Sequence, residues 1–179
     1  MERERYSVLV TSLVAFTIVV AVDGLYIGVV NSQGPSAQPY IPRFVGGFLA
    51  TMAALIVIAL LPRPEIAIIR APLRAGAAAG LLILGIVAAF SIGLPLVAAG
   101  LLAGFALSRT RREPRRGVAR LSGLVAAALT VGILIAGLDV TQRLIVCPDS
   151  GQVGGGGSGL VSGSYQYECN NGQLTVHAG

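Results

Sequence analysis

Asp23 and Asp139 are the only acidic residues that fall inside or at the edge of the long apolar runs of this chain. Asp23 sits late in the first run, beside Gly24, and Asp139 closes the last. An ionisable group inside a membrane span is costly to place and marks a functional site by default, here through ion or proton handling. The plainer chemistry is a hydrogen bond at a helix end or between helices. We adopt that reading, because both acids are expected near one membrane face and at similar depth. A polar site shared by the two is the sharper alternative.

Cys147 and Cys169 are the only cysteines. Neither belongs to a CxxC or CxxH arrangement, so a redox dithiol or a zinc site has little support. A structural disulfide closing a loop of about 23 residues, contributing about 3 kcal/mol by chain entropy, is expected instead. His177 is the only histidine and cannot build a metal site by itself. No phosphate-cradling loop, CxxCH, bis-His pair or Rossmann fingerprint occurs, so no cofactor is expected. Ser, Thr and Asn are present, but none has a candidate base at membrane depth, and an enzyme is not expected.

The arginines Arg109, Arg111, Arg112, Arg115 and Arg116 form the densest charge cluster. They could contact anionic lipid headgroups, although a role in membrane topology already explains them. The pI near 9.9 does not point to nucleic acid, since the basic residues flank the apolar runs.

The elements that must position these residues follow from composition. Hydrophobic residues make up 54% of the chain and charged residues 12%, with a mean hydropathy of +0.79. Ordinary soluble domains carry about 25% charged residues. The runs 7–30, 44–62, 71–108 and 121–138 are almost free of charge, and about 18 apolar residues suffice to cross a bilayer. An integral membrane bundle is therefore expected. All thirteen basic residues are Arg, which we read as a GC-rich coding bias of a bacterial source. The expected location is the bacterial cytoplasmic (inner) membrane. With no Trp in the chain, interfacial anchoring falls to Tyr6, Tyr26, Tyr40 and Phe44.

Run 71–108 decides the number of crossings. As one helix it would extend about 57 Å, against a hydrocarbon core of about 30 Å. Gly93 and Pro95 mark the break, giving expected spans of 7–30, 44–62, 73–91, 95–108 and 118–139. The fourth would reach only about 20 Å, so a re-entrant hairpin competes with two crossings. With the N-terminus inside, this arrangement puts eleven of the thirteen arginines on the cytoplasmic side, leaving Arg43 and Arg143 outside. Four crossings would place RTRREPRR outside, against the positive-inside rule. The C-terminus is outside in either version. No cleavable signal peptide is expected.

The chain thus reads as an all-α integral membrane bundle over 1–139, with about five transmembrane helices, N-in and C-out. An extracytoplasmic tail over 140–179 ends in a small disulfide-closed β-hairpin, 165–178. Asn171-Gly172 supplies its turn. Tyr165, Tyr167 and Cys169 share one face, and the two tyrosines are expected to expose an aromatic docking surface. The segment QVGGGGSGLVSGS (152–164) is Gly/Ser-rich with no periodicity of its own, and GGGGSG (154–159) within it resembles a synthetic linker. An engineered origin is the alternative, and we take it as native because the cysteines bracket it. Gly24-x-x-x-Gly28, Gly76-x-x-x-Gly80 and Gly100-x-x-x-Gly104 indicate close helix packing.

The expected function is that of a non-catalytic accessory or assembly subunit of a larger membrane complex. Its expected partners are the lipid bilayer and other membrane protein subunits, and not nucleic acid. A small transporter or channel using the Gly93–Pro95 break and Asp23 is the alternative. A membrane-embedded enzyme using Asp23 and Asp139 comes third.

Overall fold

The computed structural model describes residues 2–33, 37–66, 69–109, 116–159 and 163–178. Five α-helices lead into a small sheet: α1 (Glu2–Ser32), α2 (Tyr40–Leu60), α3 (Arg70–Val87), α4 (Gly93–Arg109) and α5 (Arg116–Arg143). The strands are β1 (Gln152–Gly159), β2 (Gly163–Asn170) and β3 (Gln173–Ala178). Four segments are long and apolar enough to cross a membrane: Tyr6–Ser32, Tyr40–Leu60, Arg70–Val87 and Arg120–Arg143. Gly93–Arg109 is apolar but shorter. The described residues are mostly helical, with helices long and apolar enough to span a membrane, a three-stranded antiparallel sheet and one disulfide.

At the α3–α4 break both helix boundaries differ from the expected ones. α3 ends at Val87 rather than 91, and α4 begins at Gly93 rather than 95. Residues 88–92 form the turn between them. Pro95 therefore lies in the first turn of α4, where a missing N–H leaves no bond unmade. The glycine, not the proline, closes the turn: a Cβ at Gly93 would collide with the carbonyls of Gly85 and Ala88. α1 also runs unbroken to Ser32, so it does not fray at Gly28.

The chain divides into two compact units, Met1–Tyr26 with Gly47–Leu134, and Ile27–Gly46 with Ile135–Gly179. The first unit is held by small residues that let helices approach closely. A Cβ at Gly80 would lie 2.7 Å from Met52 Sδ on α2 and 2.9 Å from Thr130 Cγ2 on α5. One at Gly100 would lie 2.8 Å from Leu82 Cγ, and one at Gly85 only 2.9 Å from the Val97 backbone nitrogen. Around these contacts Val19, Leu49, Leu81, Leu96 and Leu134 are fully buried.

In the second unit the sheet has the order β1-β2-β3. The expected two-stranded hairpin is present as β2 and β3, with Asn171 at φ +46° and Gly172 at φ +82° in a two-residue turn. The glycine-rich segment corrects the expectation of an irregular linker. It pairs with β2 as β1, in the register Val153↔Cys169, Gly155↔Tyr167 and Gly157↔Tyr165. Glycine is a weak strand former, so the order of β1 comes from its partner rather than from its own sequence.

Candidate functional site

The outermost question for the tail is what holds it in place, and the answer begins at the end of α5. The last four carbonyls of a helix have no partner within it. Two distant side chains reach one of them, the carbonyl of Gln142. The Tyr165 hydroxyl donates to it, and so does Gln38 Nε2, at 3.1 Å. Gln38 Nε2 also donates to the Tyr165 oxygen at 3.0 Å, which closes the triangle. Beside it, the Val146 N–H donates to the Ala37 carbonyl at 2.9 Å. The Cys147–Cys169 disulfide then fixes the following strand, with Cα atoms 5.4 Å apart.

The tyrosines expected to form an exposed docking surface are engaged instead. Tyr167 is only 8% exposed and Cys169 1%. The Tyr167 ring lies over Gly155 and the Tyr165 ring over Gly157, and a Cβ at either glycine would come 2.7 Å from the phenolic oxygen. An aromatic ring on a facing glycine restores the contact that the missing side chain forfeits. Gln166 and Glu168 point to the opposite, exposed face, as does His177, which pairs with Gln166.

Asp23 lies within α1, about 13 Å along the helix from its end, so it caps no terminus. It is half-buried, and its Oδ1 is enclosed without a hydrogen-bond partner among the described residues. A buried polar oxygen left unbonded costs about 1–3 kcal/mol. Next to it, Gly24 faces open space, as does Gly28 one turn on: among the described residues nothing lies within 4 Å of a Cβ at either. Of the three glycine pairs, only this one is wholly open. Gly76 and Gly80 pack internally, as does Gly100, while Gly104 is open.

Asp139 falls one turn before the end of α5, which extends to Arg143, and is half-buried. It belongs to the second unit and Asp23 to the first. The Arg109 guanidinium stacks 4.9 Å above the Phe105 ring. Arg111, Arg112 and Arg115 lie outside the described residues, and Arg116 begins α5.

Sequence reasoning missed Gln38 and Gln142. It also missed the partners of the two tyrosines, because Gly154 to Gly157 are consecutive glycines and show no alternation. Comparison with protein-family models, curated proteins and solved structures finds no match.

Proposed function

We propose that the chain is a non-catalytic accessory or assembly subunit of a larger membrane complex in a bacterial cytoplasmic membrane. Its N-terminus is inside and its sheet is outside. The distribution of arginines supports this orientation. The cytoplasmic cluster from Arg109 to Arg116 meets anionic headgroups there.

One observation carries the partner: α1 presents a small-residue face that its own chain leaves unfilled. Of its apolar window 17% is buried, against 11% for α5 and 44% for α2 and α3. Gly24 and Gly28 admit the close approach of another helix. Asp23 Oδ1 beside them offers an acceptor to a donor on that helix. The sheet adds a second contact through its outer strand edges, which can accept another chain's strand. Its tyrosine rings are already spent on Gly155 and Gly157.

The transporter reading draws on the same carboxylate. It loses support at the Gly93–Pro95 break, since both residues lie in the first turn of α4 and the adjoining turn, 88–92, carries Ser91 as its one polar side chain.

The test is to place Leu at Gly24 or Gly28. Each variant should insert and form its disulfide, yet lose its partner on extraction in mild detergent. Full partner recovery with both G24L and G28L would overturn the proposal.

A further inference from the structure

The helices α3 and α4 form a pair whose base and tip differ sharply in chemistry. Arg70, Arg74 and Arg109 all lie toward the base. There Arg70 Nη2 donates at 2.9 Å to the Leu61 carbonyl, just past the end of α2, and Arg109 stacks on Phe105. The tip is residues 88–92, Ala-Ala-Phe-Ser-Ile, without a charge. Phe90 is fully exposed there and Leu94 80% exposed, with Ile86 and Val87 exposed beside them.

Length decides where that tip ends. α1 has 31 residues, α2 21 and α5 28, or about 46, 32 and 42 Å, each enough for a core of about 30 Å. α3 has 18 residues and α4 17, or about 27 and 26 Å. From Ala75, just beyond the buried Arg74, to Val87 the rise is only about 20 Å. Arg70–Val87 is long enough to cross only when Arg70 and Arg74 enter the apolar layer; with those arginines at headgroup level, the pair stops short of the far side.

The connections agree. The links from α1 to α2, α2 to α3 and α4 to α5 all carry polar or charged residues, whereas the α3–α4 turn has only Ser91.

Hydrocarbon penalises every backbone group left unbonded. Most of the turn is satisfied: the N–H groups of Ala88, Ala89, Ser91 and Gly93 donate to Leu84, Ile86, Ala88 and Ala88 respectively, at 2.8–3.2 Å, while those of Phe90 and Ile92 make no backbone bond among the described residues. The Ser91 hydroxyl donates to the Ala88 carbonyl at 3.3 Å. Pro95 carries no N–H to satisfy.

We infer that α3 and α4 form a re-entrant hairpin. It enters and leaves on the arginine side, and its Phe90 tip is seated among the acyl chains of the opposite leaflet. This inference rests on the membrane orientation proposed above. Lipid is the occupant because the exposed tip continues the apolar flanks of the two helices, and its one polar side chain, Ser91, is bonded back to the Ala88 carbonyl.

Single-cysteine probes test it in the native protein, because both natural cysteines are held in a disulfide. F90C and A89C change exposed side chains and leave the packing intact. S150C, in the tail, reports the orientation. In sealed vesicles S150C should react with a membrane-impermeant maleimide from the extracytoplasmic side, while F90C and A89C should stay unlabelled by at least tenfold. A nitroxide introduced at 90 before reconstitution should collide more often with oxygen than with a water-soluble nickel chelate. Labelling of F90C from that side, with S150C also labelled, would overturn the re-entrant hairpin alone. Failure of S150C would overturn the orientation beneath it. Protection of position 90 from both oxygen and nickel would place protein there and overturn the lipid assignment.

Discussion

The ring of Tyr167 lies directly on the backbone of Gly155, its cross-strand partner, leaving no room for even a methyl group at that position. The contact explains how a strand of consecutive glycines is ordered, and it makes the two faces of β1 unequal. Gly155→Ala should destabilise the tail by about 1–3 kcal/mol through overpacking. Gly154→Ala, whose nearest contact would be an ordinary 3.5 Å, should be near neutral. Limited proteolysis of the tail measures both; equal protection of the two variants would show that the ring contact does not order the strand.

Tyr165→Phe removes the hydroxyl that bonds the Gln142 carbonyl while keeping the ring on Gly157. The expected loss is about 1 kcal/mol. Gln38→Ala should cost less in the Tyr165→Phe background than alone, since Gln38 Nε2 donates to both oxygens. A thermal-melt double-mutant cycle with strictly additive values would break the proposed triangle.

Cys147 and Cys169 should be bonded in protein taken from its native membrane. An impermeant maleimide should label them only after reduction, and reduction should loosen the tail by about 3 kcal/mol on the chain-entropy estimate. Ready labelling without reductant would rule the bond out.

The parts of the fold that were legible in the sequence are those with local signals. Charge-free runs gave the helices, Asn171-Gly172 gave the β2–β3 turn, and two isolated cysteines gave the disulfide. β1 was hidden because glycine has no side chain with which to show alternation, and its conformation is imposed by Tyr165 and Tyr167. The end of α3 was placed four residues late because residues 88–92 are as apolar as the helix they terminate. The Gln38–Gln142 contact joins residues 104 positions apart, and no periodicity announces such a pair. Asp23 was visible as a candidate, but its unbonded oxygen and the open glycines beside it were not.

Asp23→Asn separates the two membrane functions. With Oδ1 unbonded among the described residues, the substitution should leave the thermal stability of the isolated protein unchanged or slightly raised, while weakening its hold on a partner helix by removing the charge from the acceptor. Reconstituted vesicles should show no ion or proton flux for wild type or variant. A wild-type flux abolished by Asp23→Asn would establish the transporter reading instead.

The central claim is that this chain works as one subunit among others, and the mass of the particle extracted from native membranes tests it most directly. The chain alone is 18.3 kDa. In mild detergent, native mass spectrometry should find it bound to at least one different membrane polypeptide at a fixed ratio. A particle containing only copies of this 18.3 kDa chain, recovered quantitatively, would contradict the account.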